Sequence, residues 1–158
     1  VRKIYWKRLI VALALPQCAG GLGAVFTRES VATWYRQLAK PQLNPPSWVF
    51  APVWTALFLL MGLAFYLVLV STRSGEKRRA GVILFCAHLA VNTLWSILFF
   101  GLRSPFWAFI DIIVLWIMIV LLILIFRAID RLAGFLLIPY WLWVSFAAYL
   151  NYTVWKMN

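Results

Sequence analysis

Charge is scarce in this chain, and negative charge is scarcer still. Only 12% of the 158 residues are charged, with four acids against fifteen Lys and Arg. Asp111 is the one acid inside a long apolar run, so no acidic relay crosses a membrane-length segment. Histidine occurs once, at His88, which excludes a multi-histidine metal site and leaves at most a single axial haem ligand. The two cysteines, Cys18 and Cys86, each fall within an apolar stretch. A disulfide framework is therefore not expected, and both read as small buried residues. The sequence holds no hydrolytic triad, phosphate loop or metal-ligand cluster, and no fixed-period repeat or low-complexity tract.

What is abundant is apolar surface. Hydrophobic residues make up 65% of the chain, against about 45–50% in soluble domains. A domain of this size cannot hide that excess from water, so lipid must cover it. Five apolar blocks, at about 9–26, 48–70, 80–101, 106–126 and 132–155, predict an all-α integral membrane bundle of five transmembrane helices forming one domain, 1–158. Basic clusters or Pro-containing turns separate the blocks, and the one substantial loop, 27–47, carries Pro41, Pro45 and Pro46. Pro52 falls in a first helical turn, where a missing N–H costs little, whereas Pro16 lies inside the first helix and should kink it.

The net charge of +11 would suggest nucleic-acid binding in a soluble protein. Here the cations sit in short connections, where they set topology and meet anionic lipid; no nucleic-acid partner is expected. Arg2, Lys3, Lys7, Arg8, Arg73, Lys77, Arg78, Arg79, Arg127 and Arg131 fall on one side, and Arg28, Arg36, Lys40, Arg103 and Lys156 on the other. That bias predicts a cytoplasmic N-terminus and an outer C-terminus. The basic start followed by an apolar run resembles a signal peptide, with a faint lipoprotein-like Leu15-Pro16-Gln17-Cys18. Small residues continue through Gly20, Gly21 and Gly23, however, and a retained helix is expected.

Polar side chains inside a bilayer are costly and need a partner or a purpose. His88, Asn92 and Trp95 share a helical face, as do Trp54, Phe58 and Met61 on the second block. Trp107 and Asp111 are four apart on the fourth block, and Tyr140, Trp143, Ala147 and Asn151 run along one side of the fifth. Helical rise places Asn92 about 13 Å, Asp111 roughly 8 Å and Trp54 about 9 Å below the outer face. These stripes converge in the outer half, under the 27–47 loop with Trp34, Tyr35, Lys40 and Pro41. Two readings fit: helix packing with Asn92 and Asp111 as interhelical glue, or an aromatic-lined pocket in which Ala147 leaves room beside the Trp143 indole. Trp6, Trp48 and Trp155 read as interfacial belt. Ala19-x-x-x-Gly23 permits close helix approach, within or between chains, with dimerisation its expected use.

The motifs Trp34-Tyr35-x-x-Leu38-x-Lys40-Pro41 and Pro45-Pro46-x-Trp48-x-Phe50-x-Pro52-Val53-Trp54-Thr55 resemble the signature of the translocator proteins. These are also called tryptophan-rich sensory proteins or peripheral-type benzodiazepine receptors. Asn92-x-x-Trp95-Ser96-x-x-Phe99-Phe100-Gly101 is similar to that family's third helix. Pro139-Tyr140-x-x-Trp143-x-x-Phe146-Ala147-x-x-Leu150-Asn151-x-x-x-Trp155 is similar to its fifth. The resemblance spans nearly the whole chain and points to a bacterial-type member. It implies a five-helix bundle, commonly a homodimer, that binds porphyrins such as protoporphyrin IX and needs no cofactor. Mitochondrial members also bind cholesterol and synthetic benzodiazepine-type ligands.

By motif, the resemblance assigns Trp54, Phe58, Asn92, Trp95, Trp143 and Ala147 to the ligand pocket, with Trp34 and Tyr35 in the covering loop. The stripes add His88, Asp111, Tyr140 and Asn151. His88 departs from the family pattern, where Gln is more usual, and is expected to alter polarity at one edge of the pocket. Some bacterial relatives degrade protoporphyrin in light, which makes the matching Tyr35 and Trp143 catalytic candidates. A weak sterol-type motif matches Leu150, Tyr152 and Lys156. Arg36 and Lys40, near the outer surface, are suited to meet ligand carboxylates. Three functions stay open: tetrapyrrole binding with transport or sensing, photo-oxidative degradation, and ligand-responsive regulation of another membrane protein.

Overall fold

A computed structural model describes residues 4–72 and 75–158; Arg2, Lys3 and Arg73, counted in the charge bias, lie outside the described residues. The chain forms helices α1 (Trp6–Ala32), α2 (Trp34–Gln37), α3 (Ser47–Val70) and α4 (Glu76–Ser96). After α4 comes a π-helical turn (Ile97–Gly101), followed by α5 (Pro105–Ile129), α6 (Arg131–Leu136) and α7 (Ile138–Met157). Among the described residues there is no β-strand. Five helical spans are long and apolar enough to cross a membrane, the last made of α6 and α7 together. The architecture is all-α. Its outward faces are apolar, with Ile10, Leu22, Val25, Ile83, Leu124 and Leu142 all exposed, as hydrocarbon solvent requires.

Packing order follows from the contacts between elements. α1 lies between α3 and α4, α4 packs on α5, α5 packs on α7, and α6 closes the ring against α3. Pro16 sits inside α1, so the carbonyl of Ala12, four residues earlier, has no Pro16 N–H to accept. Gly62 of α3 comes against that place: a Cβ on it would lie 2.7 Å from the Ala12 carbonyl oxygen. The half of the bundle holding the N-terminus is filled by a phenylalanine column. Phe65 stacks on Phe85 at 4.2 Å, and Phe85 on Phe126 at 5.9 Å. The cavity lies in the other half.

Several boundaries differ from the sequence expectation. α1 continues past Phe26 to Ala32 because its polar residues bond within the protein. Thr27 Oγ1 donates to Gly23 O, Thr33 Oγ1 to Glu29 O, and Ser30 Oγ to Phe100 O at 2.6 Å. The covering segment is thus part helix rather than a loop over all of 27–47. The fifth span breaks at Leu137, just before Pro139 enters the first turn of α7. Asp130 caps α6, its Oδ1 accepting from the N–H groups of Leu132 and Ala133. Cys18 and Cys86 are exposed on the helix exteriors rather than buried, since a small apolar thiol sits as well in lipid as in a core.

Candidate functional site

The cavity forms where five helices and the π turn leave the axis open. On α1 the small residues Gly20, Ala24 and Val31 face inward at helical spacing, with Gln17 and Arg28 on the same stripe. Phe50, Trp54 and Phe58 enter from α3, Asn92, Trp95 and Ser96 from α4, and Phe99 and Phe100 from the π turn. Ile112 and Leu115 come from α5, and Trp143, Val144, Ala147, Leu150 and Asn151 from α7, with Tyr35 of α2 at the loop end. The enclosed volume is about 660 Å³, within the roughly 300–1,000 Å³ usual for ligand sites.

The aromatic wall is a set of braced rings. Trp95 stacks on Phe99 at 5.1 Å, Trp54 tilts against Phe58 at 5.4 Å, and Phe50 meets the Trp143 ring edge-on at 6.0 Å. The π turn belongs to this bracing, because its extra residue per turn rotates Phe99 and Phe100 relative to a regular helix. Leu102 N–H bonds five residues back to Ile97 O at 2.7 Å. Phe100 O, one of the turn's carbonyls, accepts from Ser30.

Several polar groups in the wall are committed to partners within the protein. Asn92 Nδ2 donates to the Tyr140 hydroxyl at 3.0 Å, and Trp95 Nε1 donates to Asn151 Oδ1 at 2.9 Å. Thr55 Oγ1 bonds back to Ala51 O. Trp143 Nε1 is buried without an acceptor. At the loop end, Tyr35 donates to Asn44 Oδ1 at 3.0 Å while the Lys40 ammonium sits 4.7 Å from its ring centre. Burial pushes the Tyr35 phenol above its ordinary value of 10.0, an effect the Asn44 bond partly offsets. The Asn158 side chain bonds both N–H and carbonyl of Ala39, at 3.0 Å each, tying the covering segment to the end of α7.

Of the residues singled out from sequence, Tyr35, Trp54, Phe58, Asn92, Trp95, Trp143, Ala147 and Asn151 stand on the cavity wall. Trp34 instead packs edge-on against Phe99 at 5.8 Å. Tyr140 is fully buried as the support of Asn92. His88, also fully buried, stands against Phe85 and Tyr140; its Nδ1 donates to Phe85 O at 2.6 Å and its Nε2 has no partner. Asp111 is buried on α5, outside the wall, with Oδ2 unpartnered. Trp107, one turn before it, is exposed. Leu150 faces the cavity whereas Tyr152 is exposed beside Lys156, so the sterol-type residues do not share one surface. Among the described residues no group of His, Cys, Asp and Glu is arranged to hold a metal.

Sequence reasoning missed the α1 contribution and the π turn. The signal in the sequence is the small-residue pair Ala19-x-x-x-Gly23, which permits close helix approach within or between chains. That stretch is used within the chain. A Cβ on Gly20 would overlap the Phe58 ring, one on Gly23 would lie 2.9 Å from Ser96 Oγ, and Thr93 Oγ1 donates to Ala19 O.

Taken together, these features define an integral, multi-pass helical membrane protein with an aromatic-walled chamber confined to one half of the bundle. The chain belongs to the TspO/MBR family, which it matches over residues 12–156. It is 43% identical to the tryptophan-rich protein TspO of Chlorobaculum tepidum, over 95% of this chain and 96% of that one. It is 34% identical to the translocator protein of Ovis aries, over 97% and 91%. Against the tryptophan-rich sensory protein of Cereibacter sphaeroides the identity is 33%, over 97% and 92%.

Proposed function

We propose that this protein binds a tetrapyrrole of the protoporphyrin IX type, or another flat lipophilic ligand, in the cavity between α1, α3, α4, α5 and α7. The observation that carries the reading is the meeting of Trp54, Trp95 and Trp143 around one apolar space of about 660 Å³. A macrocycle offers a broad apolar plane for indole contact. Membership of the family agrees with this ligand class. The test is titration of the purified protein with protoporphyrin IX, followed by Trp fluorescence in the dark. Trp143→Phe is expected to weaken quenching substantially, and unchanged quenching sinks the placement.

A second reading, photo-oxidative degradation, is favoured by one observation: Tyr35 and Trp143 line the same cavity. Illumination in air then converts bound porphyrin faster with the unmodified protein than with Trp143→Phe. The homodimer belongs to the proposal too. Because Ala19 and Gly23 face α4 within the chain, a second copy would use another face. The cytoplasmic N-terminus rests on the charge bias alone, and reporter fusions at the two ends test it.

A further inference from the structure

We infer that Arg28 is the anion-recognising residue of the cavity, and that it selects flat apolar ligands bearing a carboxylate at their edge. The inference deepens the tetrapyrrole reading and rests on it. Arg28 is the one charged side chain on the cavity wall among the described residues. It stands there because α1 stays helical beyond Phe26. Gly20, Ala24, Arg28 and Val31 follow at intervals of four, four and three, so all four share the inward face. Had the chain left the helix at Phe26, nothing would hold the guanidinium on that stripe.

The charges around Arg28 leave it available. No ion pair among the described residues engages it, and the acids number only four. Glu76 and Asp130 begin or precede helices at the opposite end of the bundle, and Asp111 is buried on α5. Glu29 is the next residue, about 100° around the helix, and is exposed away from the cavity wall. The other cations at this end are differently placed. Lys40 lies over the Tyr35 ring and donates to Leu38 O, Lys156 lies over the Trp155 ring at 4.0 Å, and Arg36 and Arg103 are not on the wall. Neighbouring Thr27 lines the cavity but spends its hydroxyl on Gly23 O.

A guanidinium fork in an apolar wall matches one partner chemistry above others: a planar oxyanion taken two N–H groups at a time. The exposed position of Arg28 lets a carboxylate keep part of its hydration while the body of the ligand enters the aromatic chamber. Wall polarity elsewhere is neutral, so a ligand without an acid forfeits only this contact.

Protoporphyrin IX and its dimethyl ester separate charge recognition from ring binding. Both are titrated against the full chain in detergent, with Trp quenching as the readout, at low and high salt. The unmodified protein should prefer the diacid, and Arg28→Gln should weaken diacid binding about tenfold while ester binding stays unchanged. Arg28→Lys should fall between the two. In the unmodified protein, added salt should weaken the diacid and spare the ester. An unchanged diacid-to-ester ratio in Arg28→Gln overturns the assignment while leaving the tetrapyrrole reading intact. Quenching by neither form in the unmodified protein overturns both. Should Arg28→Gln lose both ligands through misfolding, the salt response of the unmodified protein decides, and equal salt sensitivity of acid and ester overturns the assignment.

Discussion

The Trp95 indole donates to Asn151 Oδ1 at 2.9 Å, and the same amide donates through Nδ2 to the Pro105 carbonyl at 2.7 Å. One side chain of α7 thereby fixes the cavity-facing end of α4 and the first turn of α5. In hydrocarbon no water replaces a lost partner. Asn151→Ala removes both bonds and is expected to destabilise the protein by about 1–2 kcal/mol, since interhelical hydrogen bonds in membranes average roughly 0.6 kcal/mol and reach about 1.7. Thermal unfolding in detergent measures it. The Trp95→Phe, Asn151→Ala double variant should then lose less than the sum of the singles, and strict additivity would refute the coupling.

Close approach of α1 and α3 makes a second prediction. A Cβ on Gly62 would meet two backbone atoms, Ala12 O at 2.7 Å and Leu13 Cα at 2.8 Å, neither of which can rotate away. Gly62→Ala should cost about 1–3 kcal/mol, as overpacking does. Gly21 has nothing within 4 Å of its Cβ position, so Gly21→Ala should be neutral or mildly stabilising by helix propensity. A Gly62→Ala protein as stable as Gly21→Ala would show that the two helices can simply move apart.

How much of this was legible beforehand follows from what periodicity carries. Apolar runs and basic breaks announce spans, and the i, i+4, i+7 stripes on α3, α4 and α7 brought Trp54, Asn92, Trp95, Trp143 and Asn151 to one list because each stripe is a property of one helix. His88 rides the α4 stripe and Asp111 lies one turn from Trp107 on α5, but both end behind the wall, since spacing gives a direction without saying what stands in front. Arg28 and Val31 were hidden differently. The polar run after Phe26 looks like loop, and only its bonds to Gly23, Glu29 and Phe100 keep it helical. The π turn has no sequence signature: Ile97 to Gly101 is as apolar as the helix before it.

Tyr35 supplies a prediction about pH. Its pKa is raised in the folded protein, mainly by burial, so the fold holds the phenol proton beyond the pH at which an unfolded chain releases it. The stabilisation is therefore complete below the ordinary value of 10.0 and is lost as pH rises through the raised one. Thermal midpoints scanned upward through that region should fall faster for the unmodified protein than for Tyr35→Phe. Parallel curves would mean that the phenol titrates freely and the covering segment does not enclose it.

Ala147 tests the chamber itself, independent of any charge. It faces the space one helical turn from Trp143, and its single methyl leaves open volume beside that indole. Ala147→Phe should fill that volume with another apolar ring and leave the helix, whose backbone is untouched, as stable as before or more so. A flat ligand can no longer lie against the Trp143 indole without displacing the new ring, a cost of about 1–3 kcal/mol, so porphyrin affinity should fall by roughly tenfold or more. The comparison needs both measurements. Weakened quenching with an unchanged thermal midpoint locates the ligand in this space, whereas full affinity in a stable Ala147→Phe protein would mean that porphyrin quenches from some other surface.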